Sequence, residues 1–535
     1  MINYNDFFKL NYLKIKTVPI FFTLFFVIVL YYFYQPLWET NDDVGMSMIA
    51  HGYGVAALSS PNLVFSNVIW GYLTQSIPIV NGILGYSIAT IATLLVIGCM
   101  LIYGMLRFDI GYFNSVLIFL LIMLRPLIFP QFTINAGLIT VISIIFLKLY
   151  EIRNIKSLLL ASCFLFYVGY LIRSEECLLV LFISLPFLNW RILLKQSFLY
   201  RVFLALFILV VLSSFINYQA YQGPDWIEFK ETGKVLGQLV DFGGSVLLSQ
   251  HPEIYEKYSY SLNDLNLIGS WFFVDPKIIQ TKTLQSMLSI LGPIAMQENT
   301  LQNIWISIKA VFDPNLLPHT VGTLLLITLN RNRSLLFCFI LYFISVSSLG
   351  LLGRPGIIRV YLPIISFLFI ASFITTYNSS RMSKYFSTFI LLLTMCWNSS
   401  NIIKAHDELN LNRNLIQTSL TEFTTKNFVN WGGSFPLELV YPVLFTNPDI
   451  LSFKIYSLGG LTFAPFTNTY VAYKNGSALP SLIVNNGIDI IASQEHFKML
   501  AIYCMERLHG RLHEISVTQY GSIILSRQRC EIIHK

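Results

Sequence analysis

Long apolar runs separated by short charged turns fill the first 400 residues of this 535-residue chain. A membrane-spanning helix needs roughly 20 apolar residues, and a window of that length finds about 11 candidate spans. They lie near 18–35, 83–104, 112–129, 133–150, 157–172, 177–194, 202–218, 316–330, 334–352, 360–376 and 385–400. The first runs into Tyr31, Tyr32, Phe33 and Tyr34 without a small-residue cleavage site, so it reads as a retained span whose aromatics suit a membrane interface. The stretch 316–330 is short and holds Pro318 and His319 near its start. After residue 400 the pattern changes. Ile488–Ala492 reads as a strand, 495–509 as a helix ended by Gly510, and Glu514–Tyr520 with Ser522–Ser526 as paired strands around Gly521. The expectation is an all-α polytopic membrane domain over 1–400 and a small extracytoplasmic α/β domain over 401–535.

Composition agrees with a membrane chain. Charged residues make up 12% and hydrophobic residues 55%, and mean hydropathy is +0.63. So few charges could not cover a soluble surface of this size. The net charge of +7 therefore says little about nucleic acid, and no nucleic-acid partner is expected. The placement of charge says more. With the N-terminus cytoplasmic, the inner turns hold Lys9, Lys14, Lys16, Arg107, Lys148, Arg153, Lys156, Arg191, Lys195, Arg201, Arg331, Arg333, Arg381 and Lys384, against Asp6, Asp109 and Glu151. That basic bias predicts a cytoplasmic N-terminus and an outward C-terminus. The long polar segments 36–82, 219–315 and 401–535 then all face outward. The inner loops are too short for a nucleotide-binding domain, and neither phosphate-loop glycine motif occurs in the sequence. An ATP-driven pump is not expected.

The first polar segment opens Pro36-Leu37-Trp38-Glu39-Thr40-Asn41-Asp42-Asp43 and continues to His51. Thr40 or Asn41 can cap a helix with Asp42 and Asp43 in its first turn, and Met46, Ile49 and Ala50 give it an apolar face. One acid would complement the helix dipole; two adjacent carboxylates at a hydrocarbon boundary repel each other and point to chemistry. Arginines recur in other turns on the same side: Arg125 before Pro126, Arg173 before Ser174-Glu175-Glu176, and Arg354 and Arg359 around Pro355-Gly356. The planar guanidinium suits bidentate phosphate binding, and charges at a membrane edge default to functional readings. The plainer alternatives are pairing of Arg173 with Glu175 or Glu176, and Arg125 reaching lipid headgroups.

A first span followed by an outer loop with an acidic pair and an interfacial helix resembles the GT-C glycosyltransferases, which use polyprenyl-phosphate sugars. Within them the Thr40-Asn41-Asp42-Asp43 start, the membrane core and the outward tail look most like bacterial serotype-converting O-antigen glucosyltransferases. The resemblance implies a catalytic base at Asp42 or Asp43, arginines among Arg125, Arg173, Arg354 and Arg359 on the donor phosphate, and inversion at the anomeric carbon. Glu175, Glu176 and His51 are candidates for binding the acceptor or supporting the site. The expected partners are the bilayer of a bacterial inner membrane, a polyprenyl-phosphate-linked sugar (a hexose such as glucose) and a glycan acceptor such as O-antigen. No cofactor is required, and no metal is indicated, although the acidic pair could hold a divalent ion. The rivals are a lipid-linked glycan polymerase or ligase and a glycolipid transporter or flippase; no internal repeat supports the latter.

Other signals are weaker. Trp226, Trp271 and Trp305 in segment 219–315 fit an interfacial belt or sugar stacking. Seven cysteines include no C-x-x-C pair. Cys504 and Cys530 are the only two in the tail and could pair in an oxidising compartment. His509 and His513 have a metal-like spacing, but Gly510 argues against one continuous helix. Trp431-Gly432-Gly433-Ser434-Phe435-Pro436 reads as a turn or an acceptor-facing loop.

Overall fold

The computed structural model describes residues 4–294, 300–423, 425–476, 483–484 and 487–533. The side chains of Asp6, Lys9, Lys14 and Lys16 lie outside that description. The first half contains α1 (Tyr4–Phe33), α2 (Asn41–His51), α3 (Val68–Ser76), α4 (Gly85–Arg107), α5 (Tyr112–Ile128), α6 (Phe132–Arg153), α7 (Lys156–Ile172), α8 (Ser174–Ser184), α9 (Trp190–Leu193) and α10 (Ser197–Ala220). Segment 219–315 is helical, with α11 (Pro224–Val240), α12 (Gly244–Ser249), α13 (Pro252–Tyr255), α14 (Leu262–Gly269), α15 (Thr281–Leu291) and α16 (Thr300–Ala310). The bundle closes with α17 (Leu317–Asn330), α18 (Arg333–Leu351), α19 (Ile358–Tyr377) and α20 (Arg381–Leu420).

Six of these helices, α4, α6, α10, α18, α19 and α20, are long and apolar enough to cross a membrane, and Thr17–Phe33, α5, α7 and α17 are shorter apolar helices. The chain is a membrane protein. The predicted span 177–194 is corrected: α8 stops at Ser184, followed by a 3₁₀ turn over Leu185–Phe187 and the short α9. Pro186 offers no N–H and its ring crowds the carbonyl of Phe182, so hydropathy continues where the helix cannot.

α6 forms the centre of the bundle, with 94% of its apolar window buried, against 17% for α10 at the periphery. Small residues explain the close packing. A β-carbon on Gly137 would stand 2.4 Å from Pro363 of α19, and one on Gly169 of α7 would stand 2.6 Å from Thr140. Ser143 and Ser162 each donate to the other's carbonyl at 2.8 Å. At one end, Arg153 pairs with Asp109 at 2.8 Å, and Lys148 with Glu151 at 2.7 Å.

At the other end the three polar segments build a cap together. Asn62 donates to the Ala220 carbonyl at 3.0 Å, the Ile455 N–H to Gly54 at 2.9 Å, and Asn263 to Met499 at 3.1 Å. No break occurs at residue 400: α20 is a 40-residue rod that leaves the bundle and enters the cap. Its upper half is tied back by His406 to the Gln35 carbonyl and by Arg413 to the Gln35 side chain, both at 3.0 Å.

The tail carries a five-stranded sheet of β1 (Asn427–Trp431), β2 (Lys454–Leu458), β3 (Ile488–Ile491), β4 (Gly510–Tyr520) and β5 (Ile523–Ile532), in the order β2-β1-β3-β5-β4. β1 runs parallel to β2 and β3, while β5 is antiparallel to β3 and β4. The helix Gln494–Leu508 starts at a capping box on Ser493 and ends at His509, whose φ is +53°. The stop is therefore His509 and not Gly510, which begins β4. Cys504 on this helix and Cys530 on β5 form a disulfide, with Cα atoms 5.9 Å apart.

Candidate functional site

A cavity of about 1100 Å³ lies between the bundle and the cap. One wall begins with the chain entering α2. The N–H groups of Leu37 and Glu39 donate to the carbonyls of Ile128 and Pro130, fixing this segment on the turn between α5 and α6. Thr40 is the residue before the helix, with φ −144° and ψ 157°. Its hydroxyl donates to Asp43 Oδ2 at 3.4 Å.

The acidic pair then divides. Asp43 is fully buried, and its Oδ1 accepts from the Tyr86 hydroxyl at 3.0 Å and the Phe132 N–H at 3.1 Å. Burial pushes its carboxyl well above the usual carboxylate range, and the charge of Asp42 adds to that; the Tyr86 and Phe132 hydrogen bonds oppose it. Asp42 instead lines the cavity and accepts from Arg359 Nη1 at 2.8 Å. Successive helical residues point about 100° apart, so adjacent acids meet different surroundings.

Arg173, Arg354 and Arg359 all line the cavity. Arg359 is in the first turn of α19. Arg354 sits in the preceding loop, where Gly353 and Gly356 have φ of +80° and +73°; it faces Asp241 at 3.8 Å and lies over the Phe242 ring. Arg173 joins α7 to α8, pairs with Glu175 at 3.3 Å, donates to the Phe65 carbonyl at 3.2 Å, and lies over the Phe65 and Phe132 rings. Glu175 and Glu176 also line the cavity. Glu175 is largely exposed, whereas Glu176 is 2% exposed and its Oε1 has no hydrogen-bond partner among the described residues.

Two expected site residues lie elsewhere. Arg125 is not on the cavity wall: it is buried, paired with Glu39 at 2.5 Å and bonded to Asn315 at 2.7 Å. It locks α5 to the approach of α2 and to the turn before α17. His51 accepts the Tyr86 N–H on Nε2 at 3.1 Å, satisfying a donor at the start of α4. Burial pushes its pKa down, in keeping with a neutral acceptor ring.

The opposite wall belongs to the cap. It includes Trp271, Phe463, Tyr473 and His496, the ion pair Asp225–Lys474 at 3.4 Å, and Gly432 and Gly433 of the Trp431–Pro436 run. Sequence reasoning passed over Asp225, Lys474, Phe463, Tyr473 and His496, which carry no motif. Trp226 packs instead against Tyr221 and Phe466, and Trp305 is exposed. Among the described residues no three His, Cys, Asp or Glu side chains gather as a metal site; His513 faces Glu531 across the β4–β5 hairpin at 3.2 Å.

No family model matches the chain, and no curated protein does. Among solved structures it is similar to ArnT from Cupriavidus metallidurans bound to undecaprenyl phosphate, at 12% identity and a TM-score of 0.35, over 95% of this chain and 97% of that one. A likeness of that size carries no weight for chemistry, which stands on the residues of the cavity.

Proposed function

We propose that this chain is a membrane glycosyltransferase that moves a sugar from a polyprenyl-phosphate donor to a glycan acceptor. In its finer form the sugar is a hexose such as glucose and the acceptor a surface glycan such as O-antigen. The cavity then opens at the outer face of a bacterial inner membrane, with the N-terminus cytoplasmic and the C-terminus outside. The observation that carries the proposal is the Asp42–Arg359 pair on the wall of a large cavity between apolar helices and a polar cap, with Arg173 and Arg354 on the same wall.

In the proposed reaction an acceptor hydroxyl oxygen attacks the anomeric carbon and forms the new C–O bond. Its proton passes to an Asp42 carboxylate oxygen. The bond from the anomeric carbon to the phosphate oxygen breaks, and its electron pair leaves with the polyprenyl phosphate. Attack opposite the leaving group inverts the anomeric centre. Arg359, Arg173 and Arg354 face the phosphate, whose charge grows as the bond breaks, so they stabilise the transition state more than the bound donor. Arg359 touches Asp42 as well, which couples the base to the phosphate site. Asp43 holds α2 in place through Tyr86 and the start of α6, and is a positioning residue.

The test is transfer of sugar from a polyprenyl-phosphate donor by purified wild type, Asp42→Asn and Asp43→Asn. Asp42→Asn is expected to lose about a hundredfold or more of the transfer rate, as for a missing general base, while still binding donor. Wild-type rates from Asp42→Asn would overturn the assignment and bring the polymerase and transporter readings forward.

A further inference from the structure

The cap wall presents a tryptophan in a backbone conformation that bulky residues rarely adopt. Trp271 has φ of +66°, a strain that persists only where the surroundings over-determine it. They do so here. The Trp431 indole N–H donates to the Ser270 carbonyl at 2.6 Å. Phe272 is fully buried, its ring 4.9 Å from Trp431 and 5.1 Å from Tyr503. The core takes Phe272, and the left-handed turn leaves Trp271 half-buried on the cavity wall. Gly460 makes room for it: a β-carbon there would stand 3.2 Å from the indole. The indole N–H makes no hydrogen bond among the described residues. Glycine or asparagine would relax this turn, so a tryptophan here is held at the cost of backbone strain.

Phe273 packs against the ring with centroids 5.6 Å apart, and the other residues that line the same cavity indicate what the ring meets. Phe463 and Tyr473 pack edge to face with centroids 5.3 Å apart and extend the apolar wall. Asp225 and Lys474 neutralise each other, offering acceptors and donors to hydroxyl groups with no net charge. Glu228 on the same wall disfavours an anion, and this many polar groups disfavour an acyl chain. A pyranose ring fits: it has a C–H face for an aromatic plane and hydroxyls around its rim. We propose that Trp271 is the stacking platform for a neutral sugar ring of the acceptor glycan, with Asp225 and Lys474 binding its hydroxyls. This rests on the glycosyltransferase reading for the word acceptor, because the cavity is shared with Asp42.

The experiment is calorimetric titration of the full chain in detergent micelles, without donor, against linear tetrasaccharides of glucose, galactose, mannose and N-acetylglucosamine. At least one should bind wild type. Trp271→Gly, measured on protein that remains folded by circular dichroism, should weaken that binding about tenfold, the size of a lost aromatic contact. Trp271→Phe should retain most of it. No binding by wild type, or equal binding by Trp271→Gly, would overturn the platform. Trp305→Ala, exposed and off the cavity wall, should bind the tetrasaccharide as wild type does. Lost binding in Trp271→Gly together with full transfer by Asp42→Asn would leave the platform standing and sink the transfer mechanism. The reverse pair of results would do the opposite.

Discussion

The bundle wall of the cavity carries Asp42, Arg173, Glu175, Glu176, Arg354 and Arg359, whereas the cap wall carries Trp271, Phe463, Tyr473, the ion pair Asp225–Lys474 and the carboxylates of Glu228 and Asp241, with no arginine among its described residues. The difference follows from what holds each wall. Apart from Arg354 in the loop before α19, the charges on the bundle wall stand at the starts of helices, and such fixed charges can stabilise a transition state without reorganising. The cap wall is assembled from helices and loops of two polar segments, with Asp225 on α11, Lys474 at the end of a short helix and Trp271 in a loop, and it suits shape recognition more than charge stabilisation. On the proposed reading, the comparison assigns chemistry to one wall and selection of the acceptor to the other.

The largest expected effect tests the bundle wall. Asp42→Asn should lower transfer by about a hundredfold or more with donor affinity kept. A variant that lost donor affinity to the same extent would make Asp42 a binding group and erase the division between chemistry and recognition. Arg359 comes next. Replacing it by glutamine should lower transfer by about a hundredfold, and lysine should recover only part, because a point charge cannot span the Asp42 carboxylate and a phosphate as a planar fork can. Full recovery by lysine, measured as kcat and KM for donor, would reduce Arg359 to a general positive field.

Arg125 sharpens the comparison from outside the cavity. Its pairing with Glu39 is largely shielded from solvent, so Arg125→Ala leaves an uncompensated carboxylate and should cost about 3 kcal/mol of stability. The folded fraction should keep the wild-type KM for donor. A raised KM at unchanged thermal midpoint would return Arg125 to the phosphate site.

The bundle wall was the readable one. Its arginines stand in short turns beside obvious spans, on the side where the basic bias of the other turns makes them conspicuous. Arg125 looked identical by that criterion, because its partners Glu39 and Asn315 lie 86 and 190 residues away in sequence. Only folding shows that it is already engaged. Pro186 was visible, yet 177–194 is apolar throughout, and hydropathy does not register a missing N–H. On the cap wall, β1 is largely buried, so it lacks the alternation that marks a half-exposed strand. Asp225 and Lys474 meet only through long-range contacts between the cap segments. In the sequence Trp271 is one of three tryptophans of segment 219–315; the sign that sets it apart, a positive φ, is a property of the backbone.

The smallest effect separates the two neighbouring acids by pH. In the unfolded chain Asp43 ionises near pH 3.9, while in the fold burial raises its pKa despite the Tyr86 and Phe132 donors. Between those two values the folded protein holds a proton that the unfolded chain has released. Stability contributed by Asp43 is thus fully present below about pH 4 and is lost as pH rises through the folded pKa. Asparagine keeps an oxygen for both donors and has no proton to lose. Thermal midpoints measured from about pH 5 to about pH 8 should therefore fall less steeply for Asp43→Asn than for wild type, with the variant's relative advantage growing toward the alkaline end. Asp42→Asn should leave the wild-type slope in place, because its carboxylate faces the cavity and Arg359. If the two substitutions changed the slope equally, the acids would be acting as one coupled group, and the assignment of chemistry to Asp42 and positioning to Asp43 would have to be abandoned.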